Sequence, residues 1–271
     1  MDLVTVTCNR DKLQMLLQSE SIAKFVDPCN HWVIINEPNA NIDEWQSLLS
    51  PYYTKHRLFL FSIDQIIDSR KFKESKGGWN SQQLYKFSIF KYIRNDYLIL
   101  DSKNFFVKPT NTDEWQPIIG NGMLTNFTGD NSWKHTIEVY ADYLNCPLTF
   151  EHLSILTPFT FRKDVLETLG NFDKFLDWFA TQPALESEFL IYSMLVQQMN
   201  IFPKHNPNPK FHMLTKTYGF KIDELCKFFF EKEHVKVAGI HRVFLYELKE
   251  SEKIGFNKWL TSLGLTTNLF G

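Results

Sequence analysis

Over its first hundred residues the chain repeats one pattern, a short apolar or β-branched run, a polar break, then a helical stretch. The runs are Leu3 to Thr7, Trp32 to Ile35, Arg57 to Phe61 and Tyr97 to Leu100. Between them, Lys12 to Ile22 places Leu13, Leu16 and Leu17 at helical spacing. Asp43 to Leu49 is a second helix, with Asp43 placed to cap it. Trp79 to Ile93 is a third, largely buried helix, and Asp96 breaks it. Strands that read as continuous apolar runs separated by helices require a mainly parallel sheet covered on both faces. In such sheets ligands bind beyond the carboxyl ends of the strands. Asn9, Arg10, Asp64 and Asp101 all fall at such ends.

The second half is less regular and mostly helical. Helices are expected at Trp133 to Tyr143, Lys163 to Leu169, Phe172 to Ala180, Glu186 to Gln198, Ile222 to Glu231 and Ile254 to Leu263. Ile155 to Phe161 and Val235 to Ile240 are expected extended, and Pro207-Asn208-Pro209 a loop. With no internal repeat and no separating linker, one domain spanning 1–271 is expected.

Composition excludes several classes. A net charge of -2 and 22% charged residues argue against a basic nucleic-acid surface. No apolar run is long enough to span a membrane, and the N-terminus lacks the basic-then-apolar order of a signal peptide. The four cysteines (Cys8, Cys29, Cys146, Cys226) form no CxxC pair and read as reduced thiols, which points to a cytoplasmic protein. His234 with His241, or His205 with His212, could form a zinc site only through folding. The 25 Phe read first as core, because aromatics bury large areas, with sugar-stacking platforms as the alternative.

The densest constellation of chemistry runs from Gly77 and Gly78 through Trp79, Gln82, Gln83 and Lys86, then from Asp101 through Lys103 and Asn104 to Pro109. A glycine loop feeding a helix N-terminus presents free N–H groups to an anion. Gln82 and Gln83 carry amides suited to sugar hydroxyls, and Asp101 hangs off a central strand at the mouth of the sheet. The plain structural alternative is that the glycines only turn the chain and Asp101 only caps the next segment.

The GlyTrp-x-x-GlnGln helix, followed by an apolar strand and AspSerLysAsn-x-Phe-x-x-Pro, resembles an uncharacterised family of bacterial and phage glycosyltransferase-like proteins. The resemblance takes in the opening Val-Thr-Val-Thr strand with Arg10-Asp11, Ser187-Glu188-x-x-x-Tyr192, and Gly239-Ile240-His241-Arg242. It implies a GT-A-like, Rossmann-like α/β fold: a mainly parallel central sheet, flanking helices and a helical C-terminal half. Residues 1–110 would form the nucleotide-binding half and 111–271 the acceptor half. The implied activity moves a sugar from a nucleotide diphosphate-sugar to a glycan or polysaccharide-precursor hydroxyl.

The resemblance also distributes roles. GT-A enzymes hold Mn2+ or Mg2+ with an Asp-x-Asp. Here Asp101 matches the first carboxylate, but Lys103 stands in place of the second. That leaves two alternatives: Asp101 holds a metal, or Lys103, with Arg10 or Arg242, offsets the diphosphate directly while Asp101 binds a donor hydroxyl. Glu188 is the implied catalytic base or acceptor-binding residue, and its structural alternative is a helix-start glutamate favoured by the dipole. Glu186 and Glu188, two apart, point to different helix faces and make no carboxylate pair. His241 resembles a C-terminal histidine turned toward the metal or diphosphate. Asn9, Arg10 and Asp64, with Gly78, Trp79, Gln82, Gln83, Asn104 and Arg242, complete the implied donor site. Two other readings stay open, a binding module of the same fold without turnover and a structural interaction protein.

Overall fold

The computed structural model describes residues 1–66, 78–93, 95–127, 131–182, 187–214 and 222–270, apart from the side chains of 78–81, 131–132, 180, 222–223, 225 and 242–244. Most of the expected Lys71 to Gly78 loop, with Gly77, Pro183 and Glu186, lies outside the described residues.

The expected strands and helices of the first half form in order, with one short helix after β3 that was not expected. They are β1 (Asp2–Thr7), α1 (Lys12–Phe25), β2 (Asn30–Ile35), α2 (Ile42–Leu49), β3 (Arg57–Ser62), α3 (Ile63–Ile66), α4 (Gly78–Ser88) and β4 (Tyr97–Asp101). Then come β5 (Asn104–Phe106), β6 (Leu124–Asn126), α5 (Asn131–Leu144), β7 (Glu151–Leu153), β8 (Phe159–Phe161), α6 (Lys163–Glu167), α7 (Phe172–Thr181) and α8 (Glu188–Gln198). The chain closes with β9 (Phe211–Leu214), α9 (Ile222–Glu231), β10 (Val237–Ile240), α10 (Arg242–Glu247) and α11 (Glu250–Ser262).

The central sheet has the order β3-β2-β1-β4-β8, with β8 antiparallel to β4 and the other pairings parallel. The order reverses between β1 and β4, so their carboxyl ends flank a topological switch point. Register puts Asp101 level with Val6. Several features differ from expectation. The α2 cap is Asn41, whose Oδ1 accepts from Glu44 N–H at 3.2 Å; Asp43 lies inside the first turn, where its charge meets the helix dipole. Of the expected extended stretch from Ile155, only Phe159–Phe161 joins the sheet.

Alternation along the strands sorts the core into two faces. Val4, Val6, Tyr97 and Ile99 face a core built with α4, α5, α7 and α8. There Phe161 packs against Phe87, Tyr97, Phe159, Phe189 and Tyr192 at ring separations of 4.7 to 6.0 Å. The aromatic content therefore goes largely to packing. On the other face Leu3, Leu98 and Leu100 meet α1. A small second sheet, β5-β10-β9, closes over α1 from outside. Enclosed in this way, α1 buries Gln14, Gln18, Ser19 and Ser21 as well as Met15, Leu17 and Ile22. That explains why it lacks a polar stripe. No described helix is long and apolar enough to cross a membrane.

Candidate functional site

The site is organised by the tight turn that joins β4 to β5. Asp101 N–H donates to Asn104 Oδ1 at 2.8 Å, which closes the turn on itself. Gln18 Nε2 donates to the carbonyls of both Asp101 and Asn104, each at 2.8 Å. From the second sheet, Ile240 N–H donates to Lys103 O at 2.9 Å. Gly239 lies level with Asn104; a Cβ there would stand 2.9 Å from Asn104 Nδ2 and collide with Met213 Sδ. The turn is thus clamped from three sides and projects Asp101 and Lys103 at the mouth of the sheet.

A chain of alternating charges runs inward from this turn. Lys103 Nζ lies 2.7 Å from Asp101 Oδ2, and Lys86 Nζ lies 3.3 Å from Asp101 Oδ1. Lys86 Nζ also lies 3.0 Å from Glu188 Oε1. Thr157 Oγ1 donates to Asp101 Oδ2 at 2.9 Å, and Gln83 donates its amide to Glu188 Oε1 at 3.0 Å. Lys86 also sits 5.1 Å from the Phe189 ring. Exposure falls along the chain: about a quarter for the Lys103 and Asp101 side chains, 5% for Lys86 and none for Glu188. The four charges sum to zero, which is what a buried set requires.

Environment sets each protonation state. Burial pushes the Asp101 carboxyl up, but Lys103 and Lys86 outweigh it and hold it well below the usual carboxylate range. Burial pushes Lys86 down, but Asp101 and Glu188 outweigh that and leave it above an ordinary lysine. For Glu188 burial prevails over Lys86, so its carboxyl lies above the usual value.

Glu188 opens α8 behind a Ser187 cap, two residues after the expected helix start at Glu186, and its setting differs from that of a pocket carboxylate. With no exposure it touches Lys86 and Gln83 instead of solvent. Lys86 belonged to the constellation read from the sequence but was given no role, and Thr157 was not singled out. For Lys86 a signal existed: a lysine between Tyr85 and Phe87 in a buried helix, three residues after Gln83, needs a buried partner.

The other candidates fall around this chain. Asn9 comes just after β1, with its N–H held by Glu37 Oε1 at 2.8 Å and its side-chain amide bound to Glu37 Oε2. Arg10 is exposed on the same turn. Asp64, in α3, accepts from Asn39 N–H at 3.2 Å, at the neighbouring strand end. Gln82 is half-buried on α4, which Gly78 opens; the side chain of Trp79 lies outside those described. Asn104 is buried and donates to Thr157 O at 3.4 Å. His241 is exposed immediately after Ile240, hence beside Lys103, and Arg242 opens α10 with its side chain outside those described. His205 and His212 do not meet as a ligand pair: His205 Nδ1 accepts from Leu124 N–H at 3.1 Å, and His212 packs on Phe228.

The donor set does not fit a divalent ion. Both Asp101 oxygens are engaged, each by an ammonium that repels a dication. Among the described residues no group of three or more His, Cys, Asp or Glu could hold a metal.

No family model and no curated protein sequence matches the chain. Solved structures do. Mouse xyloside xylosyltransferase 1, in its apo form, matches at a TM-score of 0.50 and 10% identity, over 88% of this chain and 97% of that one. The apo WbbM bifunctional glycosyltransferase matches at a TM-score of 0.53 and 11% identity, over 97% of this chain and 51% of that one. The chain thus spans about half the length of WbbM. Likeness at this identity is a likeness of fold: the α/β architecture is that of the GT-A glycosyltransferases.

Proposed function

We propose that the chain is a glycosyltransferase that binds a nucleotide diphosphate-sugar at the carboxyl ends of β1 and β4 without a divalent metal. Residues 1–110 would hold the donor and 111–271 the acceptor, a glycan or polysaccharide-precursor hydroxyl. The observation that carries the reading is the Lys103–Asp101–Lys86–Glu188 chain at the switch point of a GT-A fold. Transfer breaks the bond between the anomeric carbon and the phosphate oxygen, makes one to the acceptor oxygen, and passes the acceptor's hydroxyl proton to the departing diphosphate. Negative charge then grows on the leaving diphosphate. Lys103, fixed by Asp101, supplies preorganised positive charge where a metal would otherwise act. Arg10, exposed on the turn after β1, extends that basic rim, and His241 and Arg242 remain the proposed donor contacts that follow β10. Glu188 works through Lys86, keeping it charged and aimed at Asp101, instead of on the acceptor itself.

A second reading, a binding module without turnover, draws on the same geometry, since Asp101 offers no free carboxylate oxygen. A thermal-shift panel of UDP, GDP and CDP, each with manganese and with chelator, tests donor binding by mass action. One nucleotide should raise the melting temperature equally in both conditions. No shift with any nucleotide would remove the donor site. Nucleotide release from the matching sugar donor then separates a transferase from a module.

A further inference from the structure

Beneath the Asp101–Asn104 turn the hydrogen bonds can run in one direction only. The carbonyls of Asp101 and Asn104 accept and cannot donate, so the Gln18 amide must face them with its nitrogen. That turns Gln18 Oε1 toward Thr5, whose hydroxyl donates to it at 2.7 Å. With its proton committed, Thr5 Oγ1 can only accept from His31 Nε2, 2.9 Å away. The His31 ring is neutral, because burial holds its pKa at about 3. Protonated on Nε2, it presents a bare Nδ1 to Tyr53 O–H at 2.6 Å. Ser19 Oγ lies 3.1 Å from the Tyr53 oxygen and completes the series as its donor. Thr5, Gln18, Ser19 and His31 have no exposure, and Tyr53 has 8%.

We propose that Gln18 is a positioning residue for Lys103, and that the one-way chain Tyr53–His31–Thr5 sets its orientation. No apolar side chain could hold two carbonyls at once. These two carbonyls flank Ser102 and Lys103, so their spacing fixes the turn on which Lys103 stands. Reversing one link would aim the Gln18 oxygen at both carbonyls and open the turn. This inference rests on the donor-site reading only for its effect on binding; the direction of the chain stands on the hydrogen-bond geometry and the full burial of a neutral His31.

The test uses the full chain. Long-range 15N–1H correlation should find the His31 proton on Nε2, and a proton on Nδ1 would overturn the chain's direction. Thr5→Val and Gln18→Leu should both move the backbone amide resonances of Ser102 and Lys103, whereas Thr5→Ser, which keeps the hydroxyl, should leave them in place. In the Thr5→Val and Gln18→Leu variants the dissociation constant for whichever of UDP, GDP or CDP binds should rise about tenfold, the worth of roughly one hydrogen bond. Turn resonances unmoved in folded Thr5→Val would overturn the proposal even if Gln18→Leu fails to fold. If the unaltered chain binds none of the three nucleotides, the donor reading fails, while the tautomer and the amide shifts still decide the chain.

Discussion

The two faces of the central sheet bury polar groups of opposite character. Toward α4 and α8 lies a set of full charges, Asp101, Lys86 and Glu188. Toward α1 lies a neutral series of hydroxyls, an imidazole and an amide, ending at the same turn. Strand alternation makes the division: Thr5 and His31 point one way, Val6 and Asp101 the other. The difference teaches what each face can tolerate. Losing one charge strands its partner in a medium that cannot solvate it. Losing one neutral group strands a donor or acceptor, a smaller penalty.

The largest effect should come from breaking the charged set. Lys86→Met leaves Glu188 buried without a counter-charge and should cost about 3–5 kcal/mol in denaturant unfolding. Adding Glu188→Gln should return part of that loss, because the stranded carboxylate is gone. Strictly additive losses would show that the two residues do not act as a pair.

Acid should separate the faces by pH. The folded state holds His31 at about 3, below an ordinary histidine, so it favours the neutral ring. That contribution is complete above about 6.5 and is lost as pH falls from about 6.5 to about 3, at up to roughly 1.4 kcal/mol per pH unit. His152, held by burial at about 4, adds to the same limb, so His31→Gln should flatten it in part. Asp101, held below the usual range, begins to lose its contribution only below about 4. Lys86, held above an ordinary lysine, keeps its contribution until pH rises past about 10.4. Melting curves between pH 4 and 7 that are unchanged by His31→Gln would remove the neutral face from this account. A smaller effect, about 1 kcal/mol, is expected for Tyr53→Phe, which deletes one link of the neutral series and leaves its ring packing intact.

Much of this architecture was legible. The apolar runs located β1 to β4, because strands covered on both faces need no polar alternation, and Asp101 and Lys103 fell at a strand end for the same reason. Of the second sheet only β10 was legible, within the extended stretch Val235 to Ile240: β5 is three residues long and β9 four, too short for any period to declare itself. The cap of α2 was misplaced by two residues, since both Asn41 and Asp43 are good caps and only the helix start decides between them. Glu188 could be named, but not its partner. Ion pairing between α4 and α8 joins residues about a hundred positions apart, and no local spacing encodes that.

The central claim is that Lys103 takes the place of a divalent metal in donor binding. Partly exposed, Lys103 should be nearly neutral for stability, so Lys103→Met isolates binding from folding. Calorimetric titration of the chain with the nucleotide diphosphate that stabilises it, in chelator and in manganese, is the direct measurement. The account predicts equal affinity in both buffers for the unaltered chain and a loss of at least about tenfold in Lys103→Met. Binding that disappears in chelator, or that survives Lys103→Met unchanged, would contradict it.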